Sequence, residues 1–119
     1  MKKPVVLIID DDPSHLRIYG WIVQSAGFES VSALVTFDSL DLPHVEVDLV
    51  LLDYHLNGRL TAPDVAKLSR NQYKAAPILV LSDAMMMPDD IAPFVDGFIR
   101  KGDPARLVET VSERLRNAA

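Results

Sequence analysis

The chain contains no cysteine. That excludes disulfides and thiolate metal sites, and it fits a reducing compartment. No apolar stretch approaches the roughly 18–20 residues that a membrane span requires. Basic residues are outnumbered, 12 against 17 acidic ones, and the formal net charge of −5 argues against direct binding to nucleic acid. No small-residue cleavage site follows the short apolar run behind Met1-Lys2-Lys3-Pro4. That run leads straight into Asp10-Asp11-Asp12, which a secretory signal would not tolerate. These absences predict a soluble, cytoplasmic protein with no membrane contact. There is also no internal repeat, low-complexity tract or linker, and 119 residues suffice for one domain, residues 1–119 with a core over about 4–116.

What is present is an ordinary globular composition, 49% hydrophobic and 24% charged, with apolar content enough for a core. The central stretch is Val47 to His55. Leu49 to Leu52 is an unbroken apolar run that Asp53 ends, the pattern of a strand buried on both faces of a parallel sheet. Val5–Ile9, Phe28–Ala33, Ile78–Leu81 and the short Gly97–Arg100 read as further strands. Asp12-Pro13 reads as a cap plus first-turn proline, and Leu16, Tyr19, Ile22, Val23 and Ala26 follow at helical spacing up to Gly27. Gly20 weakens that helix by up to about 1 kcal/mol relative to alanine.

The helix signal between Val35 and Val47 is poor, with room for a turn or two from Thr36 to Pro43. Pro63–Gln72 reads as a helix with Val65, Ala66 and Leu68 facing inward. Pro88 and Pro93 leave space only for a short fourth helix, Asp89 to Phe94 at most. Asp103-Pro104 repeats the cap signal before an amphipathic final helix carrying Leu107, Val108, Val111 and Leu115. Strand and helix alternate throughout, which implies an α/β fold: a parallel sheet with helices on both faces and right-handed crossovers.

Polar residues gather at the carboxyl ends of these strands: Asp10-Asp11 after the first, Asp53 after the third, Ser82 after the fourth and Lys101 after the fifth. A lone strand-end aspartate is most simply a turn residue. In a doubly wound sheet, however, the ends of strands 1 and 3 are neighbours at the topological switch point, where open α/β sheets bind ligands. Clustered carboxylates repel, and a hard divalent cation such as magnesium relieves them. Lys101 and Ser82 supply the cation and hydroxyl that would bind the other oxygens of a phosphoryl group. The set suits phosphoryl transfer onto Asp53 as covalent nucleophile.

The sequence resembles the receiver domain of two-component response regulators, from Val5 to about Leu115. The resemblance rests on Ile8-Ile9-Asp10-Asp11-Asp12, Leu49 to Leu56, Pro77 to Ser82 and Gly97 to Lys101. It implies a flavodoxin-like (βα)5 fold, a five-stranded parallel sheet in the order 2-1-3-4-5, here with a shortened fourth helix. It also implies roles. Asp53 is the phosphoacceptor, Asp11 a direct magnesium (or manganese) ligand, and Asp10 an acid that reaches the metal through water. His55 contributes a backbone carbonyl to the metal. Ser82 and Lys101 engage the phosphoryl group, and Phe98 falls on the aromatic switch position. The implied donor is a phosphohistidine on a histidine kinase or phosphotransfer protein of a bacterial phosphorelay. The implied readout is a shift of the surface made by helix 4, strand 5 and helix 5, and the only reactions catalysed are the domain's own phosphorylation and dephosphorylation.

The sequence departs from the family pattern at several points. Gly102 stands where proline is common, and Asp83 where a small residue is usual. Asp83 either repels an incoming phosphoryl group or points to solvent. The loop Leu56 to Ala62 lacks the common Met-Pro pair and resembles that of receivers attached to hybrid kinases. The Ser82–Lys101 segment is short, which puts the usual output face in doubt. Met85-Met86-Met87 either forms a docking patch or covers core left bare by the missing helix, and the His55 imidazole either screens the site or is solvated. His15 and His44 read as surface residues, and Trp21 as packed or half exposed with no chemical role. A receiver-shaped docking module that is never phosphorylated is the alternative function. A magnesium phosphohydrolase is disfavoured, because His55 stands where such enzymes carry a second aspartate. The resemblance fits a stand-alone receiver and a piece of a larger regulator equally.

Overall fold

A computed structural model describes residues 2–117. Five strands form one parallel sheet: β1 (Val5–Asp10), β2 (Glu29–Leu34), β3 (Leu49–Asp53), β4 (Ile78–Ser82) and β5 (Gly97–Arg100). Their spatial order is β2-β1-β3-β4-β5, the doubly wound arrangement expected. The continuous apolar runs have the predicted consequence, since every residue of β1, β3 and β4 is buried.

Successive side chains of a strand point to opposite faces, so each run feeds two cores. Val6, Ile8, Leu49, Leu51, Leu79, Leu81 and Ile99 pack on one face against Val23 of α1 (Pro13–Ser25) and Leu107 and Val111 of α3 (Pro104–Asn117). Leu7, Ile9, Val50, Leu52, Ile78 and Val80 face the other way, onto Val65 and Ala66 of α2 (Ala62–Gln72) and onto Ile91.

The first cap follows its sequence signal, and a second was not read from the sequence. Asp12 Oδ1 accepts from Ser14 N at 2.8 Å, with Pro13 opening α1. Thr61 and Asp64 form a reciprocal capping box at the start of α2. Among the described residues, the crossovers differ from a full (βα)5 pattern. No helix forms between β2 and β3, where Pro43 and weak periodicity leave an extended segment, fastened by Tyr73 Oη to the Pro43 carbonyl at 2.6 Å. Between β4 and β5 there is a single 3-10 turn, Ala92–Phe94, shorter than the residue 89–94 helix the sequence permitted. Pro93 sits inside that turn and removes a donor that a longer helix would need.

Met87 and Phe94 pack, partly buried, on the core that a longer helix would otherwise cover, whereas Met85 and Met86 stand out in solvent. Two packing expectations fail. Leu68 lies on the outer side of α2 at 45% exposure, and Trp21 on α1 is 74% exposed, more open than the packed or half-exposed position expected.

Candidate functional site

Register brings the site together. Ile9 pairs with Leu52, so the next residues, Asp10 and Asp53, end adjacent strands side by side. Asp53 in turn pairs with Leu81, which puts Ser82 one step further along the same edge. Asp10, Asp53 and Ser82 are all buried, a costly placement for two carboxylates. Asp10 Oδ1 accepts from Asp12 N at 3.0 Å, but its Oδ2 has no hydrogen bond, and neither does Asp53 Oδ1.

Lys101, carried past the end of β5, brings Nζ to 2.6 Å from Asp53 Oδ1, an ion pair in length but off the line of a hydrogen bond. Gly102, at φ +97°, turns the chain directly after that lysine in a conformation that suits glycine. Burial, then the neighbouring Asp53 carboxylate, pushes the Asp10 pKa up to about 6. Burial also works against the charge on Lys101, but Asp53 outweighs it and the lysine pKa is raised.

Asp11 is placed differently from its neighbour. It turns outward, where its Oδ2 accepts from both the backbone N and the side-chain Nδ2 of Asn57, each at 3.0 Å. This anchors the loop after β3. In the same loop a Cβ on Gly58 would overlap the Phe37 carbonyl oxygen, so only glycine fits, and Arg59 N donates to that oxygen at 2.6 Å. The acid pair Asp10-Asp11 thus divides its work, one carboxylate inward and one toward the loop.

Ser82 Oγ accepts from Ala84 N at 3.1 Å, and Lys101 N donates to the Ser82 carbonyl at 2.8 Å. Phe98, half-buried on β5, packs on the α2 face of the sheet, the face that Ile91 and Met87 also cover. At the mouth, the His55 ring nitrogen Nε2 lies 3.0 Å from Asp83 Oδ1. The His55 contact holds the Asp83 pKa below the usual carboxylate range. Tyr54 stacks edge-on against His55 and donates Oη–H to Asp90 at 2.8 Å, fastening the β4–β5 crossover to the site. Both side chains of the His55–Asp83 pair are exposed, so the contact lies in solvent at the mouth. The sequence carried no signal for this pairing, which depends on two different strand ends.

His15 is the residue sequence reasoning missed. Instead of a plain surface position it occupies the first turn of α1, with Nδ1 3.3 Å from Asp10 Oδ2 and Nε2 3.5 Å from Asp12 Oδ2. Asp10, His15 and Asp53 each offer a ligand atom within 4.8 Å of the others. Its spacing, five residues after Asp10 and past a helix start, was the available signal. His44 is exposed, as expected.

The donor set fits a divalent cation. Two buried carboxylate oxygens lack hydrogen bonds, and oxygen-rich sites of this charge suit magnesium or manganese. Among the described residues no helix is long and apolar enough to cross a membrane.

No protein-family model matches the sequence, and no curated protein matches it. Solved structures do. The response regulator TrrA of Thermotoga maritima, whose structure is of a complex with Mg2+-BeF, is 25% identical over 96% of this chain and 99% of its own, with a TM-score of 0.75. The chemotaxis response regulator CheY4 of Vibrio cholerae is 21% identical over 95% and 99%, with a TM-score of 0.77. A CheY-like receiver domain protein of Methanospirillum hungatei is 17% identical over 98% and 97%, with a TM-score of 0.78. Over nearly its whole length this chain has the fold of the CheY-like response regulator receiver domains, as the sequence resemblance implied.

Proposed function

We propose that this chain is a phosphorelay receiver that takes a phosphoryl group onto Asp53. The observation that carries the reading is the pair of buried carboxylates, Asp10 and Asp53, with oxygens that lack hydrogen bonds and with Lys101 at 2.6 Å, all at the carboxyl edge of the sheet. A carboxylate oxygen of Asp53 attacks the phosphorus of a phosphohistidine. The O–P bond forms as the N–P bond breaks, and the departing imidazole of the donor takes up a proton from solvent.

Asp10, Asp11, Asp53 and the His55 carbonyl would hold a divalent cation, magnesium or manganese, which supplies neutralisation of the phosphoryl charge. Lys101 transfers its ion pair from Asp53 to a phosphoryl oxygen. The Ser82 hydroxyl, which only accepts from Ala84, has a proton free to donate to another. Phe98 then follows Ser82 inward. The readout is a change in the β4–β5 crossover, β5 and α3, where a protein partner in the cytoplasm would bind. The donor is a histidine kinase or histidine phosphotransfer protein.

Intact mass after incubation with acetyl phosphate tests this. Wild type gains one phosphoryl mass only with magnesium present, and Asp53→Asn gains none. A folded wild type that gains nothing under these conditions overturns the reading in favour of a module that signals by docking alone.

A further inference from the structure

Beside the two carboxylates expected at this edge stands a third potential ligand that the receiver reading does not use. His15 approaches from α1, and its Nδ1 is buried and without a hydrogen bond, as are Asp10 Oδ2 and Asp53 Oδ1. One ligand atom from each of Asp10, His15 and Asp53 thus converges from β1, α1 and β3, with Asp53 Oδ1 also paired to Lys101.

The spacing is informative. Nδ1 and Asp10 Oδ2 lie 3.3 Å apart but off the line of a hydrogen bond. Adjacent ligands on an octahedral ion, with metal–ligand bonds of about 2.0–2.1 Å, are separated by about 3 Å. The second ring nitrogen lies near another carboxylate, with Nε2 3.5 Å from Asp12 Oδ2. A cation held at Nδ1 would leave the ring proton on Nε2, the side on which Asp12 lies. Metal-ligating histidines are commonly oriented in this way, by a carboxylate on the far nitrogen. Asp12 is itself fixed, because its Oδ1 caps α1 through Ser14 N.

We propose that His15 Nδ1 is a nitrogen ligand to the divalent cation of this site, oriented by Asp12, so that the centre has mixed nitrogen and oxygen character. The proposal deepens the receiver reading by taking the same site as the metal centre. Magnesium prefers oxygen, whereas imidazole raises affinity for later first-row ions such as cobalt and nickel. The protein then discriminates less strongly for magnesium than an all-oxygen site would.

Manganese alone is the probe for ligation. Electron spin-echo spectra of the Mn2+-loaded protein show 14N modulation in wild type and in His44→Asn, and lose it in His15→Asn. Calorimetric titration with Ni2+ and with Mg2+ shows the nickel-to-magnesium affinity ratio falling by about tenfold or more in His15→Asn. Manganese bound to wild type without 14N modulation overturns the proposal whether or not the variant folds. So does modulation that persists in His15→Asn, or an unchanged affinity ratio. Failure of acetyl phosphate to label Asp53 while the nitrogen signal is present removes the receiver reading and leaves the ligand standing. Labelling without the nitrogen signal does the reverse.

Discussion

The two ends of the sheet treat carboxylates in opposite ways. At the amino edge, acids are met. Asp48 Oδ2 accepts from Val5 N at 2.8 Å and so ties the start of β1 to the approach of β3. Asp96, just before β5, accepts through Oδ2 from Arg70 Nη2 at 2.5 Å and from Ile78 N at 2.8 Å, and its carbonyl accepts from Arg114. Although burial opposes its charge, the Arg70 and Ile78 hydrogen bonds prevail and the Asp96 pKa is lowered.

At the carboxyl edge, Asp10 is more deeply buried and less well partnered, and its pKa goes the other way. One edge uses charge to fasten crossovers. The other holds charge that is only partly met: Asp53 is paired with Lys101, while Asp10 Oδ2 has no hydrogen bond.

Asp10→Asn should break the contrast most strongly. Replacing the buried charge with an amide that can donate toward Asp53 should raise the stability of the metal-free protein at neutral pH by about 2–3 kcal/mol, read from urea unfolding. The pH dependence has a definite sign. The folded-state pKa of Asp10 is raised from 3.8 to about 6, so its favourable contribution is complete below 3.8 and is lost as pH rises through about 6. Metal-free wild type should therefore weaken across that window, and magnesium or Asp10→Asn should flatten the profile.

Asp96→Ala should act oppositely at the other edge, costing about 2 kcal/mol at neutral pH in the same assay. Half-exposed partners keep this below the cost of a fully buried pair. Because the Asp96 pKa is depressed, its contribution holds above 3.8 and is lost as pH falls below that value. Thr61→Ala, which removes the α2 cap far from either acid set, should cost about 1 kcal/mol and leave the weakening across the Asp10 window unchanged. The smallest effect belongs to Asp83→Ala. Removing one exposed carboxylate at the mouth should speed uptake from acetyl phosphate only about two- to threefold, by easing repulsion of an anion, with the gain shrinking at high salt.

Strand positions were legible because β1, β3 and β4 are buried on both faces, and that burial requires unbroken apolar runs. The carboxyl-edge residues were legible because each directly follows such a run. Helices were less so. Pro43, Pro88 and Pro93 warned of weak crossovers, yet the full loss of helix between β2 and β3 depends on contacts such as Tyr73 to Pro43, which link residues 30 apart. Leu68 was misread because the residues that cover α2 lie elsewhere in the chain, and one-sided periodicity does not specify the edge of the buried stripe. His15 and the His55–Asp83 contact are tertiary facts. They depend on where α1 and the β4 end are set down, and only for His15 does a local spacing, five residues after Asp10, hint at the placement.

Gly58 has a practical consequence. Because its backbone lies against the Phe37 carbonyl, the loop that grips Asp11 and the long segment between β2 and β3 are joined without an intervening side chain. Phe37 itself is 68% exposed and has no part in the acid cluster. A dye or tryptophan placed at position 37 would thus act as an optical antenna for the site, reporting cation binding from the surface while leaving every reacting group in place.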